Sequence, residues 1–332
     1  MTGKAIGIDL GGTFIKAGAV DASGRILSRV KLPTGVPEGR AAVIARVAQA
    51  SDEARRKAGL AWRRLRGIGL GAPIVIGPDG IVHHAFNLKC LQKRKLAEPV
   101  RQAIGGKGLR VMLDNDANVA ALAESWLGAG RSADSLVLFT LGTGIGGGIV
   151  LDGRIWRGAW GAGAEIGHQT LFPDGVVCQC GNVGCLEAYA SAPALVRRLK
   201  EAVAAGRRTR LARAVKAGDD VSARDVATAA KAGDRLCRSL MEETGRFLGI
   251  AVTNMLHILN VEIVVFTGGM TAAGSLLLKP IRDEVRHRAF ATVRRGLKIV
   301  FSRMGNDAGL RGAAALALER APARRRRRSR AS

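Results

Sequence analysis

Four side chains of one short segment carry the sharpest chemical signal in the sequence. His168, Cys178, Cys180 and Cys185 stand in the pattern H-x9-C-x-C-x4-C, with Gly181 and Gly184 in its final turn. One imidazole and three thiolates fill a tetrahedron around zinc and leave no position for water or substrate, so the pattern reads as a structural Zn2+ site. The competing reading is a loop with three free thiols. Free cysteines, however, usually occur singly and buried, as is expected of Cys90 and Cys237. An odd total of five cysteines also favours metal over disulfides in a reducing compartment. Glu165 and Glu187 flank the loop. Two carboxylates at the ends of a fixed loop suit bidentate hydrogen bonds to a polyol, although ordinary surface acids would have the same spacing.

A second set of candidates consists of glycine corners. Asp9-Leu10-Gly11-Gly12-Thr13 follows an apolar run directly. Glycines allow a tight turn and present N–H groups to an anion. Lys16 adds a positive charge, and Asp9 is placed to hold Mg2+ directly or through water. The spacing is not that of a Walker loop, and a plain hairpin corner is the simpler account of this stretch taken singly. Gly142-Thr143-Gly144-Ile145-Gly146-Gly147 repeats the theme. It fits G-x-G-x-x-G, but an apolar run and Asp-Gly-Arg follow it rather than a helix, which argues against a Rossmann site. Gly268-Gly269, between a strand and a helix, suits either a nucleoside contact or a simple turn. Asp114-Asn115-Asp116-Ala117-Asn118 ends a strand and opens a helix. One polar residue suffices to cap a helix, so two Asp and two Asn in five residues suggest more, such as a general base for an alcohol.

These residues need elements to position them. KAIGIDL, FIKAGAV and RILSRVKL read as strands separated by GGT and DASG turns. Residues 38–58 have helical spacing, GIGLGAPIVI and GIVHHAF bracket a Gly-Pro-Asp-Gly turn, and a helix near 93–104 leads to the strand LRVML. Residues 115–128 are helical. SLVLFTL, GTG, IGGGIVL and DGR then repeat the opening pattern of strand, corner, strand and turn. This spacing is far longer than a solenoid period and suggests two related lobes, or else two unrelated hairpins. Residues 158–187 read as loop. Helices are expected at 193–205, 222–231, 233–258 and 274–289, with VEIVVFT and KIVFS as strands. The last helix spans 306–320, with Asn306 or Asp307 as its N-cap. The alternation predicts an α/β layered fold.

Composition narrows the function classes. The chain has 332 residues, 47% of them hydrophobic and 24% charged. That balance excludes a disordered chain, a collagen-like fibre and a cysteine-stapled miniprotein. The formal net charge of +25 invites a polyanion-binding reading. Six arginines, however, lie in the tail 321–332, which reads as disordered, and aromatics make up only 4%, little material for base stacking. The expectation is no specific nucleic-acid partner, with the tail left as a possible polyanion contact. No signal peptide or membrane span is expected, and the localisation expected is cytoplasmic.

Taken together, the motifs resemble the ROK family (repressors, open reading frames, kinases) over about residues 4–320. DLGGTFIKAG resembles its first phosphate motif and DNDAN its catalytic motif. LGTGIGGGIV with GAGAEIGH resembles its signature, CQCGNVGCLEAYAS its zinc and sugar motif, LNVEIVVFTGGM its adenosine motif, and GNDAGLRGAAALA its C-terminal helix. The resemblance implies the duplicated actin-like (ribonuclease H-like) ATPase fold, two lobes with a cleft between them. The expected division is 1–114 for the small lobe, with helix 306–320 packing back on it, and 115–305 for the large lobe with the zinc loop 165–187.

The resemblance also implies an ATP-dependent kinase for the 6-hydroxyl of a hexose, glucose first, with Asp116 as catalytic base. Asn87, Asn115, Asp116, Glu165, His168 and Glu187 would contact the sugar. Asp9, Gly11, Gly12, Thr13, Lys16, Thr143, Gly144, Gly268 and Gly269 would serve ATP with its Mg2+. His168, Cys178, Cys180 and Cys185 would hold Zn2+, and the chain would form a homodimer. Mannose, fructose, N-acetylglucosamine or N-acetylmannosamine are rival substrates, polyphosphate is a rival donor, and a sugar-responsive regulator without catalysis is the rival class. Where family members carry Gly-Trp after Asn-Leu, this chain has Lys89-Cys90-Leu91. The family repressors' helix-turn-helix is not expected, because Asp9 comes so early in the chain.

Overall fold

The first strand, β1 (Lys4–Leu10), is apolar on both faces, and only Lys4 and Asp9 break its buried run. Such a strand belongs in the middle of a sheet. It turns through Gly11–Thr13 into β2 (Phe14–Asp21), pairing Asp9 with Lys16 and Leu10 with Ile15. The antiparallel meander continues to β3 (Val30–Pro33). That strand is shorter than expected because Ser28 interrupts the ladder: its hydroxyl accepts from the Ala19 amide at 3.0 Å and donates to the Ala54 carbonyl at 2.6 Å. Helix α1 (Arg40–Lys57) covers this sheet and leads to β4 (Leu65–Ala72), which lies parallel to β1.

A small antiparallel sheet follows, made of β5 (Ile74–Ile76), β6 (Ile81–Ala85) and β7 (Arg94–Lys95). Because Arg94–Lys95 joins that sheet, α2 (Ala97–Ala103) starts later than the helical pattern suggested. Strand β8 (Arg110–Asn115) then closes the first sheet in the order β3-β2-β1-β4-β8. Helix α3 (Asp116–Trp126) follows without a loop.

The second half opens in the same way. β9 (Leu136–Leu141), β10 (Ile145–Leu151) and β11 (Arg154–Ile155) form a meander, and β12 (Ile263–Thr267) and the parallel β13 (Lys298–Phe301) complete the order β11-β10-β9-β12-β13. The order matches that of the first sheet strand for strand, as the repeated strand-corner-strand pattern predicts. Between β11 and β12 run the short α4 (Glu187–Ala190), α5 (Ala192–Ala204), α6 (Ala212–Ala217), α7 (Ala223–Lys231) and the long α8 (Arg235–Leu259). Helix α6 lies in a stretch rich in arginine and has no buried residue, so periodicity alone does not reveal it. Helices α9 (Ser275–Arg288) and α10 (Ala308–Ala317) complete the chain. Helix α10 has no side-chain cap: a 3-10 turn, Gly305–Asp307, precedes it, and Asp307 pairs with Arg29 at 2.8 Å instead.

The computed structural model describes residues 3–318 except 86, 106 and 107. The expected end of the last helix at 319–320 and the tail 321–332 lie outside the described residues. Two compact units emerge. One comprises the residues up to Leu136, Gly148–Ala164 and those from Arg303; the other comprises Val137–Gly147 and Glu165–Ser302. The sequence had suggested a division at 114/115, but α3 stays with the first unit. Its residues Ala117–Ser125 are all buried, and α10 packs against it and against β1 and β4. Small residues permit that close approach. A Cβ on Gly312 would lie 1.7 Å from the Val119 carbonyl oxygen, and one on Gly69 would lie 1.7 Å from that of Ala313. Glycines at these positions therefore let α10 pack closely on α3 and on the sheet.

Candidate functional site

In the first unit, three parallel strands end on one line. The register sets Asp9 of β1 beside Gly71 of β4, and Gly71 beside Asp114 of β8. The carboxyl ends of parallel strands are where open α/β sheets bind ligands. Asp9 faces Lys16, with Nζ 3.4 Å from Oδ2, a half-exposed pair across the hairpin. The first turn of α10 comes so close that a Cβ on Gly309 would lie 3.0 Å from the Asp9 carboxyl carbon. The corner itself is closed by the Gly11 amide donating to the Phe14 carbonyl at 3.0 Å. The buried Thr34 hydroxyl braces it by donating to the Gly11 carbonyl at 2.7 Å. Asn87 lies against this corner, since a Cβ on Gly12 would sit 3.0 Å from its Cβ.

The DNDAN segment divides its labour residue by residue. Asp114 is 1% exposed. Its Oδ1 accepts from the Asn115 amide at 2.9 Å and from Asn118 Nδ2 at 2.8 Å. Its Oδ2 receives Arg157 Nε at 2.7 Å and Nη2 at 2.6 Å. Asn115 is the N-cap of α3: its Oδ1 accepts from the amides of Ala117 and Asn118, and its Nδ2 donates to the Ile74 carbonyl at 3.2 Å. Asp116 is the first residue of the helix and is exposed. A carboxylate there is favoured by the helix dipole and by the Ala117 amide, which donates to Oδ1 at 2.9 Å. Of the acids in this motif, Asp116 is the one presented to solvent. Neither Asp114's buried role nor Arg157 was singled out from sequence, because the pair is 43 residues apart.

In the second unit, the corner between β9 and β10 is held from the side. Glu187, at the start of α4, accepts from the buried Ile145 amide at 2.7 Å, and a Cβ on Gly144 would lie 2.5 Å from the same oxygen. The turn Ile166–His168 packs on the other side, where a Cβ on Gly167 would lie 2.0 Å from the Ile145 carbonyl oxygen. Thr143 is exposed at the tip. Gly268 adopts φ +101°, where a side chain would meet the Leu141 carbonyl at 2.2 Å, so glycine is required there, and Gly269 beside it is open. Glu165 is exposed and follows Ala164, which holds a left-handed φ of +67°.

The structure brings the four expected metal ligands together. One donor atom from each of His168, Cys178, Cys180 and Cys185 lies within 4.8 Å of every other. His168 Nδ1 is 3.8 Å from Cys178 Sγ, and Cys180 Sγ is 3.7 Å from Cys185 Sγ. Zn–S bonds of about 2.3 Å in a tetrahedron require S–S edges of about 3.8 Å, so the donor set fits zinc. Bridges Thr170–Cys185 and Val177–Val183 tie the loop into a small knuckle. Without metal, burial pushes the Cys185 thiol up to about 12 and raises Cys178, while the Asn182 amide lowers Cys180. With Nδ1 turned to the thiols, His168 Nε2 faces Glu165 Oε2 at 4.0 Å. No helix among the described residues is long and apolar enough to cross a membrane.

Comparison with known proteins agrees with this geometry. The glucokinase of Halalkalibacterium halodurans is 39% identical over 92% of this chain and 92% of its own. The structure of a ROK family glucokinase from Streptomyces griseus, in complex with glucose and AMPPNP, is 33% identical with a TM-score of 0.75, over 96% of this chain and all of that one. The xylose repressor of Caldicellulosiruptor bescii is 32% identical over 95% of this chain and 78% of its own. The duplicated sheets are those of the actin-like ATPase fold that the kinase structures share. The ROK family model matches residues 5–320, nearly the whole chain, and the protein belongs to the ROK family.

Proposed function

We propose that the protein is an ATP-dependent hexose kinase that phosphorylates the 6-hydroxyl of glucose, with Asp116 as the catalytic base. The observation that carries this reading is the line of Asp9, Gly71 and Asp114 across the carboxyl strand ends, with exposed Asp116 two residues on, at the first position of α3. A pure sugar sensor has no need of such a base, which favours the kinase over the regulator reading. Asp116 would accept the hydroxyl proton as the phosphoryl group transfers through a loose transition state, where positioning and charge stabilisation dominate. Mg2+ bound with ATP would supply charge neutralisation to the phosphates, and Asp9 is the residue placed to hold it, directly or through water. Gly12 and Thr13 with Asp9 and Lys16, and Thr143 and Gly144, would offer corner amides and side chains to the phosphates, while Gly11, whose amide closes the turn onto Phe14, would shape that corner. Gly268 and Gly269 suit the nucleoside.

Asn87, Asn115, Glu165, His168 and Glu187 are assigned to the sugar. Asn115 and Glu187 would do this with atoms beyond those spent on the α3 cap and on the Ile145 amide. Zn2+ on His168, Cys178, Cys180 and Cys185 would contribute structure and no chemistry, since protein ligands fill the tetrahedron. A cytoplasmic homodimer is the assembly expected of such an enzyme. The test is a coupled kinase assay over glucose, mannose, fructose and the N-acetylhexosamines, with ATP and polyphosphate as donors. Fastest turnover with glucose and ATP is expected; turnover with none of them would end the kinase reading.

A further inference from the structure

The first unit contains an ion pair between a buried carboxylate and a half-exposed arginine that the reaction as described does not use. Arg157 delivers both Nε and Nη2 to a single oxygen of Asp114, at 2.7 and 2.6 Å, while Asp114 itself is 1% exposed. The other Asp114 oxygen holds the Asn115 amide and the Asn118 side chain. Those two residues bracket Asp116 in sequence. The orientation of Asn118 is set by its amide nitrogen, the group that meets a carboxylate, and its buried Oδ1 has no hydrogen-bond partner among the described residues. Asp114 is therefore a hub: one oxygen grips the first turn of α3 and the other is gripped by the loop after β11.

That loop is seated at a second point. A Cβ on Gly161 would lie 1.9 Å from the Ile76 carbonyl oxygen, and the Asn115 side chain donates to Ile74 in the same short strand. The Gly163 amide closes back on the Arg157 carbonyl at 2.8 Å.

We propose that Arg157 is a positioning residue for the catalytic base: through Asp114 it fixes the start of α3 and with it the direction in which Asp116 presents its carboxylate. A buried carboxylate stripped of its cation is strongly unfavourable. Asp114 would then turn toward other donors and draw Asn115 and Asn118 with it. A shift of about 1 Å at a reacting group costs on the order of a hundredfold in rate. The planar fork of arginine, rather than charge alone, sets the two-donor geometry, so lysine should not replace it fully.

This inference rests on the kinase reading, and the experiment separates the two. Wild type, Arg157→Lys, Asp116→Asn and the double variant are compared in steady-state turnover of glucose with ATP, and the folding of each is followed by thermal unfolding. Arg157→Lys should lower kcat tenfold to a hundredfold, with both KM values changed less than threefold and a cooperative transition retained. In the Asp116→Asn background the same change should cost less than twofold, since there is no longer a base to orient. Equal proportional losses in both backgrounds, a loss confined to KM, or unchanged turnover of Arg157→Lys would each overturn the proposal. If Arg157→Lys does not fold, Asp114→Asn, which keeps the Asn115 and Asn118 contacts to Oδ1, carries the same test and the same outcomes. No turnover in the wild type would instead remove the kinase reading beneath it.

Discussion

The two glycine corners of the molecule have the same strand order around them and are fastened in different ways. At the first, between β1 and β2, the fastening is electrostatic and open to water: Lys16 and Asp9 stand 3.4 Å apart, Lys16 about half exposed and Asp9 partly so. At the second, between β9 and β10, a glutamate is docked onto the corner's own backbone and the Ile166–His168 turn is wedged against it. That glutamate and that turn are the two ends of the loop that carries the candidate metal ligands. The duplicated architecture has therefore been put to two uses. In the first unit a strand end and a helix start carry acids suited to chemistry, Asp9 and Asp116. In the second unit the corner is bound to a rigid loop whose glutamates and histidine are suited to holding a ligand.

If this contrast is right, damage in the first unit should stop turnover, and damage in the second should weaken binding. The largest effect is expected from Asp116→Asn. An amide keeps the shape and cannot accept a proton, so kcat should fall by about a hundredfold to ten-thousandfold. Glucose affinity, measured by calorimetry, should change little. Near wild-type turnover would show that the base is elsewhere. The next effect belongs to the metal loop. Cys180→Ser should lower zinc content from one per chain and raise the KM for glucose. Turnover at saturating glucose and the KM for ATP should be affected much less. Elemental analysis provides the first check, and a metal-free preparation with full activity would dissolve the link between the knuckle and sugar binding.

How much of this was legible in the sequence differs between the same two regions. The gathering of His168, Cys178, Cys180 and Cys185 was legible, because the four fall within eighteen residues and their chemistry is stereotyped, whereas the bridges that tie the loop were not. Both corners were legible as strand, glycine turn and strand. The DNDAN motif could be located but not parsed. Spacing cannot say that Asp114 points into the core, that Asn115 is the cap and that Asp116 faces solvent, since those roles depend on the pleat of β8 and on Arg157 from a distant loop. Arginine is so frequent in this chain that no single one stands out. Ser28 likewise shortens β3 through a hydrogen bond to Ala54 of α1, a contact that no strand propensity contains.

Glu187 sharpens the comparison at intermediate scale, because two substitutions separate its structural and binding roles. Glu187→Ala would leave the buried Ile145 amide without its acceptor. A buried donor left unsatisfied costs about 1–3 kcal/mol, readable as a lowered midpoint in urea. Glu187→Gln retains an acceptor oxygen and should keep most of that stability while still weakening sugar binding. Equal stability of the alanine variant and the wild type would mean that the second corner is not held in this way.

The smallest effect is expected at the first corner, from Lys16→Ala. Its partner Asp9 is partly hydrated, and exposed ion pairs contribute about 0–1 kcal/mol. The thermal midpoint should therefore move by no more than a few degrees, in contrast to Glu187→Ala. Lys16 nevertheless stands across the hairpin from Asp9, beside the corner amides assigned to phosphate. Its charge acts through solvent, so the variant should raise the KM for ATP a few-fold in dilute buffer. That difference should shrink as salt brings the screening length from about 10 Å at 0.1 M toward about 3 Å at 1 M. A loss of ATP affinity that salt does not diminish would mean that Lys16 makes a desolvated contact with the nucleotide. In that event the first corner would be clamped onto its ligand as firmly as the second is clamped onto its loop.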